Sequence, residues 1–167
     1  TMQNMCSGCW SLQHIAPLDT SMVTNLQSFA NSCFVLRELP PLDTSKVTTM
    51  SSMAEKCYSI TSLPIFDITN VTNANSAFRE CWLLRKISWA ESTQLTDVSI
   101  MLYGCVSLEK VEIDVTNATA FNSFFTMTDN LKEVYIKGLC FSLSLYSAYS
   151  LTKDSLLYII NNANPPE

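Results

Sequence analysis

The sequence predicts an α/β solenoid: a right-handed coil of about six full or partial units, with a parallel sheet of short strands on one face and short helices on the other. Two observations carry this expectation. Cys9, Cys33, Cys57, Cys81 and Cys105 each stand 24 residues from the next, and Thr128 continues the series after 23. Apolar slots keep the same register: Leu12, Leu36, Ile60, Leu84, Leu108 and Leu131 three residues after the cysteine slot, and Ile15, Leu39, Leu63, Ile87, Val111 and Val134 six after it. Self-similarity at a period of 20–50 residues is the mark of stacked repeats. Each unit has an apolar face that only its neighbours can cover.

Within a unit the spacing suggests two elements. Val47, Met50, Met53, Ala54 and Cys57 lie at i, i+3, i+6, i+7 and i+10, one face of a short helix. Thr48 and its equivalents Thr24, Thr72, Thr96 and Thr119 stand at its start, where a side-chain oxygen would accept from an unpaired amide. Leu108-Glu109-Lys110-Val111-Glu112-Ile113 then alternates as a strand. Strands should stop short in the units holding Pro17, Pro40-Pro41 and Pro64, because proline cannot donate to a ladder. The array is expected over residues 1–137 and its C-terminal cap over 138–167. In the cap, Phe141, Leu143 and Leu145 read as a last strand. Thr152-Lys153-Asp154-Ser155 should start a capping helix over 156–163 that covers the final apolar rung.

The totals narrow the function. The chain has 167 residues, 47% of them hydrophobic, enough for a core, and a net charge of −5. An acidic chain with scattered cations argues against nucleic acid and anionic membrane as partners. No apolar run approaches the roughly 18 residues of a membrane span, so no membrane insertion is expected of this stretch. The chain starts inside a repeat and ends on Pro165-Pro166-Glu167, so it is expected to be part of a longer polypeptide. The cysteine spacing is the repeat spacing, which points to a buried column of free thiols rather than a disulfide framework.

The unit Leu42-Asp43-Thr44-Ser45-Lys46-Val47-Thr48-Thr49-Met50-Ser51-Ser52-Met53, running on to Cys57 and Leu63, resembles the BspA-like leucine-rich repeats of bacterial surface proteins. The likeness spans residues 2–137, and the tail from Leu151 to Asn162 is similar to the end of such arrays. It departs at Glu91-Ser92-Thr93, at Asp114-Val115-Thr116 and at Thr128, all of which keep polar character. The resemblance implies a non-enzymatic leucine-rich-repeat solenoid, displayed extracellularly or on a cell surface, that binds a protein or carbohydrate partner. It names no ligand.

Candidate chemistry follows the columns. His14 is the only histidine and nothing pairs it with a cysteine, so no catalytic residue is expected. Cys6-Ser7-Gly8-Cys9 has a metal-like spacing, but both cysteines fill repeat slots. No cofactor and no metal site is expected. Asp19, Asp43, Asp67, Glu91 and Asp114 form an acid column, each with Ser or Thr one or two residues on; turn capping explains it better than calcium. One residue after each cysteine come Trp10, Phe34, Tyr58 and Trp82, which would serve either as packing along a corner or as an exposed ligand-binding stripe. Lys86, Lys110 and Tyr135, at outward strand positions, form a second candidate surface. A structural spacer with no ligand is the alternative to a recognition module.

Overall fold

The computed structural model describes residues 1–89, 94–138 and 151–155. Each repeat forms one rung of a stack, and the two sides of a rung are built differently. Strands appear where a unit lacks proline: β1 (Lys86–Trp89), β2 (Lys110–Asp114) and β3 (Glu133–Lys137). They form a parallel sheet in the order β1-β2-β3. Lys86 pairs with Lys110 and Lys110 with Glu133, so the repeat register is also the strand register. Among the described residues the units of Pro17, Pro40-Pro41 and Pro64 contribute no strand, as a residue without an amide donor requires.

The opposite side corrects the expectation of short helices. From Met50 to Cys57 the amides alternate between two kinds of partner. Met50, Ser52, Ala54 and Lys56 donate to the carbonyls of Asn73, Asn75, Ala77 and Arg79 in the next rung, each at 2.8 Å. Met53, Glu55 and Cys57 close turns onto the carbonyls of Met50, Ser52 and Ala54, at 3.0–3.2 Å. A helix would bond each amide four residues back and keep every φ negative. Here φ is 51° at Ser52 and 60° at Lys56, and the same two slots are positive in every rung, from Asn4 and Gly8 to Ser123 and Met127. The segment is a ribbon of successive turns hydrogen-bonded to its neighbours along the stack. Buried residues recur every three positions in such a ribbon, close enough to helical spacing to be mistaken for it.

The threonine column is corrected with it. Rather than accepting from helix amides, Thr48, Thr72, Thr96 and Thr119 donate their hydroxyls to the backbone carbonyls of Thr24, Thr48, Thr72 and Thr96, at 3.0–3.3 Å. Next to them, parallel bridges link Asn25, Thr49, Asn73, Asp97 and Ala120 in turn.

The core lies between the two sides. Leu36, Ile60, Leu84, Leu108 and Leu131 form one buried column, and Leu26, Met50, Ala74 and Val98 another. Each large aliphatic side chain so buried contributes about 1.5–3 kcal/mol of transfer free energy. Cys33, Cys57, Cys81 and Cys105 are free and buried. Their thiols donate to the carbonyls of Cys6, Ala30, Ala54 and Phe78 in the preceding rung, at 3.1–3.2 Å. Thr128 ends the series, its hydroxyl turning to Phe125 O of its own rung at 2.8 Å.

The end of the array is partly described. Gly138 (φ +82°) passes so close to Thr116 that a Cβ would collide with its backbone, so no other residue fits there. Thr152 N donates to Lys132 O at 2.9 Å, and Val134 N to Ser155 Oγ at 3.2 Å, which satisfies an amide on the outer edge of β3. Thr152 Oγ1 accepts from Ser155 N at 3.3 Å where the helix begins, as expected of its cap. The predicted strand through Phe141, Leu143 and Leu145 and the helix over 156–163 lie outside the described residues. Among those described, no helix is long and apolar enough to cross a membrane.

Candidate functional site

The aromatic column sits at the corner where each rung leaves the turn ribbon. Before Phe34, Tyr58 and Trp82 the cysteine is anchored inward by burial and its thiol bond, so the next residue in the chain is turned toward the surface, whereas Cys9, before Trp10, is exposed. Trp10, Phe34, Tyr58 and Trp82 stack in order. Their ring centroids are 6.0, 5.1 and 4.0 Å apart, with interplanar angles of 10°, 15° and 22°. Trp10 is 65% and Trp82 46% exposed, whereas Phe34 and Tyr58 are half-buried. The column ends there, since Val106 and Asp129 take the slot in the later rungs.

Of the residues beside this ladder, the sequence pattern singled out only Lys86, as part of the strand face. Val35 and Leu83, one position further on, are 40% and 47% exposed. Their equivalents Ser11, Ser59 and Ser107 are polar, so no column marks them. Arg37, Arg85 and Lys86 follow within four residues of an aromatic and are exposed. None of the three makes an ion pair among the described residues. Lys86 also lines a depression of about 450 Å³ with Leu63, Pro64 and Phe66, where the proline rung meets β1. Ile65, at its rim, is 98% exposed.

The strand face is more self-contained. Lys110 Nζ lies 2.7 Å from Glu133 Oε2 and 4.9 Å from the centroid of the Tyr135 ring, so two of the three strand-face candidates meet each other and an acid. Ser88 Oγ donates to Glu112 at 3.0 Å beside them. Lys86 is the register partner of Lys110 on the neighbouring strand but makes no ion pair among the described residues.

The acid column is a set of turn caps. Oδ1 of Asp19, Asp43, Asp67 and Asp114 accepts both the amide and the hydroxyl of the residue two positions on, Ser21, Ser45, Thr69 and Thr116, at 3.0–3.1 and 2.6–2.7 Å. These hydrogen bonds hold the Asp19, Asp43 and Asp67 carboxyls below their ordinary value. At Asp114 burial works upward, but the Thr116 hydrogen bonds and Lys137 Nζ at 2.9 Å outweigh it and the net shift is down. Glu91 lies outside the described residues. Among those described, no cluster of three or more His, Cys, Asp or Glu could hold a metal ion. His14 faces Glu38 at 3.7 Å, both exposed. Burial pushes the Cys33 thiol up to about 11 and the Cys57 and Cys105 thiols to about 12, which keeps them protonated and poorly nucleophilic at neutral pH.

Comparison with known proteins agrees with this architecture. A family model described as "Mycoplasma protein of unknown function, DUF285" matches residues 1–114 and, in a second overlapping alignment, 27–137. Among solved structures, a leucine-rich repeat protein of T. pallidum superposes with a TM-score of 0.70 at 17% identity, over 99% of this chain and 77% of its own. At that identity the likeness concerns the fold: the chain is leucine-rich-repeat-like. No curated protein matches in sequence.

Proposed function

The chain belongs to the DUF285 family, and on that premise we propose that it is a non-enzymatic recognition solenoid, the ligand-holding segment of a protein displayed extracellularly or on a cell surface. The observation that carries this reading is the aromatic ladder. Four stacked rings occupy a slot that neither the core nor the backbone ladder needs filled, because Val106 and Asp129 serve in the same slot of later rungs. Exposed tryptophan and tyrosine are favoured anchors at recognition surfaces, since they bury large area at little entropic cost. Surface display rests on the resemblance of the repeat to the BspA-like bacterial surface repeats.

Paired measurements on Trp10→Ser and Trp82→Ser test it, using a panel of peptides and oligosaccharides together with melting. Recognition requires that binding falls while the melting temperature moves little. If the ladder is packing, the melting temperature falls as far as for a core truncation and no ligand is lost. That result would favour the spacer reading, to which the mutual stacking of the rings also lends support.

A further inference from the structure

The stacking that builds the ladder also decides what it can hold. This inference rests on the recognition reading above. Sugar rings are bound by laying their C–H face on the face of an aromatic ring, which needs that face open. In the ladder each ring covers its neighbour, at interplanar angles of 22° or less. Phe34 and Tyr58 are covered on both faces, and Trp10 and Trp82 at the ends on one face each, so the column turns mainly ring edges outward. Aromatic edges carry the positive side of the ring quadrupole and favour carboxylates, carbonyls and the faces of other aromatic rings. A protein offers all three; an acidic or N-acetylated sugar offers carboxylates or carbonyls but no aromatic ring.

Charge narrows the partner further. The chain as a whole is acidic, with a net charge of −5, yet Arg37, Arg85 and Lys86, three or four residues past a ring of the ladder, stand exposed and without an acid partner among the described residues. On the turn side of the ladder, Glu55 and Glu80 are both held by Arg79, at 3.4 and 3.0 Å. Glu38, the acid on the strand side of these rungs, faces His14. The strip is therefore at most weakly positive, but its three exposed cations have no acid partner among the described residues, on a molecule that is acidic overall. It is also apolar, with Val35 and Leu83 exposed beside the rings.

We propose that this corner strip, the ladder from Trp10 to Trp82 with Arg37, Arg85 and Lys86 beside it, docks an acidic protein segment bearing aromatic or aliphatic side chains, and not a glycan. Ring edges, Val35 and Leu83 take the apolar side chains. The three cations take carboxylates, which steers the encounter and makes it sensitive to salt.

The experiment uses the whole 167-residue chain. Its probes are short synthetic peptides with Asp and Glu around Phe, Leu or Trp, the same peptides with Lys in place of the acids, and a panel of cello-, chito- and heparin-derived oligosaccharides. Acidic peptides are expected to bind best, more weakly as salt rises. Trp82→Ser and, separately, Arg85→Glu should each weaken binding by about tenfold or more. Arg85 is exposed and outside the core, so its replacement leaves melting unchanged and keeps the test readable if Trp82→Ser disturbs packing. Oligosaccharide binding that Trp82→Ser abolishes would overturn this inference and leave the recognition reading standing. Basic peptides binding as well as acidic ones, or acidic peptides indifferent to both substitutions, would also overturn the inference. Binding of neither peptides nor oligosaccharides would overturn both.

Discussion

Lys56 shows how local strain and stacking trade against each other in one residue. It holds φ at 60° in a slot that Gly8 and Gly104 fill in other rungs. A non-glycine residue in this conformation costs roughly 1–2 kcal/mol, offset here by the amide bond from Lys56 to Arg79 O. Lys56→Gly keeps that bond and removes the strain, so chemical denaturation should find the array about 1 kcal/mol more stable. Gly104→Val should move the other way and further, since its φ is +72° and a Cβ would approach Glu80 Cγ to 3.1 Å. The cysteine slot makes the complementary case. Cys57 is fully buried, its thiol is bonded to Ala30 O, and burial pushes its pKa up to about 12. Thiol reagents should label it slowly in the native state and completely in denaturant. Rapid native labelling would mean that the column is open to solvent.

Between the two sides of a rung, one contributes adhesion along the stack and the other contributes a face. From Met50 to Cys57 the turn ribbon spends alternate amides on the next rung and most of the rest on its own turns, with Ser51 N on Thr49 Oγ1, so its donors are used without a helix. The sheet supplies the leucine-rich column beneath it. Leu84→Ala, truncating a fully buried side chain, should cost roughly 2–5 kcal/mol in equilibrium unfolding. Trp82→Ser removes one stacked pair of the ladder, about 0.5–1.5 kcal/mol, from a residue that is 46% exposed. A melting loss for Trp82→Ser equal to that of Leu84→Ala would show that the ladder is core. Position in the stack matters as well. Ile60→Ala sits mid-array and should separate unfolding into two transitions more readily than Ile15→Ala, because each rung touches only its neighbours.

Across the whole molecule the acid column ties stability to pH. The folded-state carboxyls of Asp19, Asp43 and Asp67 titrate below the ordinary value of 3.8, first through the Ser21, Ser45 and Thr69 hydroxyls and then through the amides of the same residues. A depressed carboxyl stabilises the fold while it is ionised in both states. That contribution is fully present above about pH 3.8 and is lost as pH falls through the lower folded values. Melting followed from neutral pH into acid should therefore hold near neutrality and decline below that point. Asp43→Asn, which keeps an acceptor but no charge, should flatten the decline. An unchanged acid limb in that variant would locate the pH dependence elsewhere.

The repeat period, the core columns, the weakening of strands at Pro17, Pro40-Pro41 and Pro64, the turn-capping aspartates and the aromatic column were all legible in the order of residues. Each is a matter of which residue type recurs at which offset, and recurrence is visible in one dimension. The turn ribbon was not legible. Val47, Met50, Met53, Ala54 and Cys57 bury one side in either a helix or a ribbon of turns, and only glycine at positions 8 and 104 hinted at positive φ. What separates the two is where the amides go, and the carbonyls of the next rung exist as acceptors only once the rungs have stacked. The same holds at the candidate site. Sequence placed Trp10, Phe34, Tyr58 and Trp82 in one column, whereas their stacking at 4.0–6.0 Å, the edges they turn outward and the cations left without an ion pair among the described residues follow from contact between rungs. The period belongs to the sequence; the partner of each hydrogen bond and the exposed face of each ring belong to the tertiary structure, because both are set by a neighbour 23 or 24 residues away.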